Sequence, residues 1–109
     1  MNDYQVQLVE MAKDMYSKFK EKAKKDFKSS SDLKIVTDIF DNVIDTFNSI
    51  GEEKVTTKDA IKKYKKEMKK SDPNLKLIFE RILYDLKEME DGFKVLSNLE
   101  ELVKSSLTK

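Results

Sequence analysis

The chain has no cysteine and no histidine. Without thiols there are no disulfides, no thiolate metal sites and no cysteine nucleophile. Without imidazole, the usual proton shuttle near neutral pH and the commonest metal ligand are missing, which removes most hydrolytic and zinc chemistry. Two glycines and one proline in 109 residues are too few for a turn-rich β-sandwich, and they leave no glycine-rich loop to cradle a phosphate. No apolar run approaches transmembrane length, and the first twenty residues are too polar for a signal peptide, so the sequence points to a cytoplasmic protein. Of the 22 basic residues only Arg81 is an arginine, so the bidentate fork that reads guanine edges is nearly absent. A lysine bias of this size accompanies AT-rich genomes.

What remains is 39% hydrophobic and 39% charged, with a net charge of +1. This is the composition of a soluble helical protein, and the length suits one domain spanning residues 1–109. Apolar side chains recur every three or four positions, which lines them along one face of each helix. Over residues 3–28 the stripe is Tyr4, Leu8, Met11, Met15, Phe19, Ala23 and Phe27. Three serines follow, and Ser29 with Asp32 forms a capping-box pattern for the next helix, with Ser30 and Ser31 as competing caps. That helix, about 32–50, carries the widest stripe: Leu33, Val36, Ile39, Phe40, Val43, Ile44, Phe47 and Ile50. Gly51 is expected to stop it from a left-handed position. Helix three, about 57–70, is short, with Ala60, Ile61, Tyr64 and Met68 as its apolar side. Asp72-Pro73 starts the last helix, about 73–106, whose stripe runs from Leu75 through Ile78, Phe79, Ile82, Leu86, Met89, Phe93, Leu96, Leu99 and Val103 to Leu107.

The phase of that last stripe survives across Asp91-Gly92, whereas glycine in a helix costs about 1 kcal/mol relative to alanine. Ser97 with Glu100 also offers a fresh cap. The balance leans to a kink or break between Asp91 and Ser97. The alternative is one helix roughly 52 Å long, whose apolar end would require a partner. Short connections between consecutive amphipathic helices favour antiparallel neighbours, hence an all-α, up-and-down four-helix bundle.

The stretch NSIGEEKVTTKDAIKKY, residues 48–64, has a faint likeness to a calcium-binding loop. With Asn48 first and Asp59 last, Ile50 falls where an oxygen ligand is needed and Glu53 where glycine makes the sharp turn. The pattern fits a plain helix connection instead, with Thr56 capping helix three, Asp59 reaching back to it, and Val55 against Ala60 as a hydrophobic staple. No metal, cofactor or catalytic residue is assigned. Asp38, Asp41 and Asp45 lie at near-helical spacing on helix two, but a carboxylate-bridged di-iron site would also require histidines.

Charge is unevenly spread. Residues 29–53 carry −5 and residues 54–70 carry +6. Lys58, Lys62, Lys65, Lys66, Lys69 and Lys70 are the candidate partner-binding residues, able to engage phosphates or an anionic surface. The plainer expectation is that the basic third helix lies beside the acidic second and the two charges answer each other. Met11, Met15 and Met68 offer an adaptable surface if they line a groove. No nucleophile, base and oxyanion donor can be assembled, so the expected function is binding of a protein partner, as an adaptor, inhibitor or immunity-type factor, without enzymatic activity. The alternative is non-specific nucleic-acid or anionic-surface binding through helix three, and homodimerisation through the C-terminal helix is a further expectation. In its order of helices the chain resembles the class IIa bacteriocin immunity proteins, a likeness of architecture that no sequence motif carries. Small lysine-rich bundles are common among bacterial and phage products.

Overall fold

The computed structural model describes residues 1–107. Helix α1 spans Asp3–Asp26, α2 Ser30–Gly51, α3 Thr57–Lys70, and α4 Lys76–Leu107, the last entered through a 3₁₀ turn at Pro73–Leu75. Side-chain pairs fix the directions. Tyr16 meets Phe47 while Lys20 meets Asp41, so α1 and α2 are antiparallel. Thr57 meets Glu90 while Tyr64 meets Phe79, so α3 and α4 are antiparallel too. Gln5 meets Phe93 while Tyr16 meets Asp85, which closes the ring between α1 and α4. The result is an up-and-down four-helix bundle, 61 × 27 × 21 Å.

Each helix begins where its sequence supplies an acceptor for orphan N–H groups. Asn2 caps α1 and shares a reciprocal box with Gln5. Ser29 is the cap the serine run uses, accepting from the Asp32 N–H at 3.5 Å. Thr56 and Asp59 form the reciprocal box at the start of α3, and Asp72 accepts from Asn74 ahead of α4. The connection of residues 48–64 is therefore a capped turn. The α2 terminus differs from expectation in one respect. Gly51 is the last helical residue and has no positive φ; Glu53 takes the left-handed position, φ 60°. The Lys54 N–H reaches Ser49 O at 2.9 Å and the Glu53 N–H reaches Ile50 O at 3.0 Å. This is the paired closure of a Schellman motif, with a glutamate where glycine is usual. Gly51 serves packing instead, since a Cβ there would stand 3.2 Å from Val9 Cγ1.

Gly92 also lies within a helix. The backbone of α4 is joined from Lys76 to Leu107 with no break between Asp91 and Ser97. A Cβ on Gly92 would approach Leu8 Cδ2, the movable end of a flexible side chain, to 2.9 Å. Across the same stretch, Gln5 Nε2 donates to Phe93 O at 3.1 Å and Asn2 Nδ2 to Leu96 O at 3.4 Å. Tertiary contact thus outweighs glycine's modest helix penalty.

The core is built from Val9, Tyr16 and Ala23 of α1, Val36, Phe40, Val43, Phe47 and Ile50 of α2, Ala60, Ile61 and Tyr64 of α3, and Phe79, Ile82, Leu83, Leu86 and Met89 of α4. Tyr16 sits at its centre, edge-on to Phe19 and Phe40 with centroids at 5.2 and 5.9 Å. On α2 and α3 the apolar stripes read from sequence are the buried ones. On α1 the buried residues are Val9, Tyr16 and Ala23; of the expected stripe Ala23 is buried and Leu8, Met15 and Phe19 pack against the core, while Tyr4, Met11 and Phe27 remain exposed.

Candidate binding surfaces

The six candidate lysines of α3 are all exposed. At about 100° per residue Lys58, Lys62, Lys65 and Lys69 fall within a 60° arc, with Lys66 and Lys70 on its flank, opposite Ala60, Ile61 and Tyr64. The stripe is about 18 Å long. None of the six makes an ion pair among the described residues. The expected answering of α3 by α2 does not occur through ion pairs. Asp41 is turned to Lys20 of α1 at 2.6 Å, raising the lysine's pKa through that hydrogen bond, and Asp38 pairs with Lys34 of its own helix at 2.9 Å. The physical reason is rotational: Asp38 and Asp45 of α2 border the α2–α3 groove beside Lys63, while the six candidate lysines lie away from the buried face of α3. Among the described residues no group of three acidic side chains converges as a metal site would require.

That α2–α3 contact is a polar network the sequence did not reveal. Tyr64 OH donates to Asn42 Oδ1 at 2.7 Å and shares a hydrogen bond of 3.0 Å with Thr46 Oγ1. Lys63 caps it, 3.0 Å from Asn42 Oδ1 and 5.1 Å above the Tyr64 ring. Burial pushes the Tyr64 phenol up to about 12, with the Thr46 hydrogen bond acting against the rise. The depression beside it, about 210 Å³ and lined by Asp45, Thr46, Asp59 and Lys63 among others, is smaller than a typical small-molecule pocket.

A second network joins α1 to α4. Tyr16 OH donates to Asp85 Oδ2 at 2.6 Å, and Arg81 Nε donates to the same oxygen at 3.0 Å. The guanidinium lies within 6 Å of the Phe19 and Tyr84 rings, and 3.7 Å from Met15 Sδ. Burial first, then the Asp85 hydrogen bond, holds the Tyr16 phenol far above its usual range. Such a phenol does not ionise near neutral pH, so it acts as a structural donor. The signal in the sequence was present: Tyr16 sits seven residues from both Val9 and Ala23, and the single arginine has an aspartate four residues on. Every buried side-chain nitrogen or oxygen among the described residues has a partner. No buried polar group is left over to serve a ligand.

The methionines are dispersed. Met11 stands exposed on α1, Met15 is partly buried beside Arg81, and Met68 packs on the core from α3.

Seven of the thirteen exposed large hydrophobic residues among the described residues lie on α4. Asn2, at the start of α1, reaches Leu96, so residues 97–107 continue about 16 Å past the other helices of that end. Leu99, Leu102, Val103 and Leu107 are exposed there, and Val95 just before them. Glu100 anchors the base of this projection through Lys104, at 3.0 Å, and Asn2, which together lower its pKa. No described helix is long and apolar enough to cross a membrane. No protein-family model, curated protein or solved structure matches the chain. The likeness to the immunity proteins rests on helix order alone.

Proposed function

We propose that this chain is a cytoplasmic, non-enzymatic helical protein that works by binding a protein partner, in the manner of an adaptor, inhibitor or immunity-type factor, through the uncovered face of α4. The observation that carries this reading is the exposure of Val95, Leu99, Leu102, Val103 and Leu107 on one continuous helix that outruns its bundle. Contiguous exposed apolar surface is costly in water, and on a soluble protein it marks an interaction site. The test is capture from the native host followed by mass spectrometry, comparing the natural chain with Leu99→Asp/Leu102→Asp. Capture of a defined protein that the variant loses supports the reading; identical capture by both removes it.

A second reading is favoured by the unpaired state of the α3 lysines, which share one face. Unpaired lysines on one face suit a nucleic-acid backbone or an anionic surface, each engaged lysine adding about 0.9 to the slope of log affinity against log salt. Duplex DNA or heparin binding that weakens steeply with salt and falls in Lys62→Glu/Lys66→Glu supports it. No retention at low salt disposes of it.

A further inference from the structure

Four exposed apolar residues lie along the outward face of α4: Leu77, Tyr84, Val95 and Leu102, with relative exposures of 78, 58, 65 and 65%. Their separations are seven, eleven and seven residues. At 100° per residue, seven residues fall 20° short of two turns and eleven exceed three turns by 20°. The four therefore lie within about 20° of one line, roughly opposite the fully buried Leu86, over about 38 Å. A 7–11–7 spacing reads the same from either end.

We propose that this seam is the interface of an antiparallel homodimer, with α4 of one copy against α4 of a second. This rests on the reading of α4 as a protein-binding face and names its occupant. A two-fold axis between Met89 and Glu90 sets Leu77 opposite Leu102 of the other copy and Tyr84 opposite Val95, each pair occurring twice. A two-fold interface must be self-complementary in this way, and an arbitrary apolar stripe is not. Charge follows the same symmetry. Lys87 and Asp91 lie on the same side of the seam, and the axis sets Lys87 of each copy level with Gly92 of the other, one residue (about 1.5 Å along the helix) from Asp91. Glu88 lies close to the axis, level with Asp91 of the other copy and one turn from that copy's Glu88, a like-charge contact that opposes association. A strip about 38 Å long and one helix diameter wide covers roughly 400 Å² per copy, below the standard interface. The dimer is accordingly a weak one, formed at micromolar concentrations or above.

The natural absence of cysteine makes a direct test available. In the proposed register Tyr84→Cys and Val95→Cys on different copies come within disulfide reach, while two copies of Tyr84→Cys are about 16 Å out of register along the axis. Mild oxidation of a mixture of Tyr84→Cys and Val95→Cys chains should give the mixed disulfide well ahead of either self-pair. Sedimentation velocity from about 10 μM to about 1 mM should show a monomer–dimer equilibrium. Val95→Asp should weaken it about tenfold or more, and Glu88→Gln should strengthen it several-fold by removing the like-charge contact. The three substituted positions, Tyr84, Glu88 and Val95, are exposed, so the fold survives each change. Monomer throughout that range overturns the inference, as does preferential self-pairing of Tyr84→Cys, which would mean parallel helices. Capture of another protein, repeated with Val95→Asp, separates the two levels. A monomer that still loses a foreign partner in Val95→Asp overturns the dimer and leaves α4 as a binding face. A monomer with unchanged capture removes both.

Discussion

Replacing Tyr16 with phenylalanine removes one oxygen from the centre of the bundle and almost nothing else. Tyr16 is fully buried, and its hydroxyl meets an Asp85 side chain that is itself only 10% exposed. The ring fits the same space, so no cavity larger than the oxygen results. What is lost is a 2.6 Å hydrogen bond to a carboxylate, and bonds to charged groups contribute about 1.5–3 kcal/mol. Arg81 remains on Asp85 and moderates the loss. Tyr16→Phe is therefore expected to cost about 2 kcal/mol at pH 7, lowering the Tm by about 10 °C for a chain of this size. Alkaline pH supplies an independent signature. The folded phenol is held above its unfolded value near 10, so above pH 10 the unfolded chain has released a proton that the folded chain keeps. The associated stability is complete below pH 10 and drains as pH rises, at up to about 1.4 kcal/mol per pH unit. Tyr64, at about 12, adds the same trend between pH 10 and 12. Tyr16→Phe deletes the first contribution and keeps the second, and the lysines cancel in the comparison. Urea unfolding followed by circular dichroism at pH 7 and across pH 9–11.5 measures both effects. A loss under about 0.5 kcal/mol at pH 7, or an alkaline slope equal to that of the natural chain, would refute the assigned role of this hydrogen bond.

Gly92→Ala presses a methyl group on the flexible end of Leu8 while gaining about 1 kcal/mol of helix propensity, so a net stabilisation of about 0.5 kcal/mol is expected. Destabilisation by more than 1 kcal/mol in the same urea assay would mean that Leu8 cannot turn aside. Glu53→Gly relieves a left-handed non-glycine residue at the expense of an exposed ion pair with the Met1 ammonium. The two effects should leave a gain of about 0.5–1 kcal/mol, visible as a raised Tm. Phe47→Ala opens the core beside Tyr16 and should cost about 3–5 kcal/mol, enough to broaden or abolish cooperative melting.

The α2 and α3 stripes were legible because each sequence offers one apolar arc bounded by charges. On α1 the stripe read from sequence was only partly right: Ala23 is buried and Leu8, Met15 and Phe19 pack against the core, but Val9 and Tyr16, outside that stripe, are buried while Tyr4, Met11 and Phe27 are exposed. The burial of Tyr16 goes with Asp85 across the bundle, a hydrogen-bond partner 69 residues away. Gly51 and Gly92 were misread for a related reason. A glycine's local meaning is conformational freedom, but here both are helical, Gly51 against Val9 and Gly92 against the end of Leu8. The cationic face of α3 was legible outright, since lysines that no core position can hold are driven outward. Its lack of acidic partners was not, because which sides of α2 carry Asp38 and Asp41 depends on how α2 is rotated against α1.

Three-to-four-residue periodicity, polar caps and a scarcity of glycine and proline determined by themselves that the chain forms helices, where they start, and that they bundle. Those are local properties, set by residues within a turn or two of one another. The rotation of α1, the uninterrupted course of α4 through Gly92 and the apolar seam left outside the bundle were decided only in three dimensions. Each depends on what a distant helix supplies or withholds, and a side chain's burial is a property of its neighbours in space.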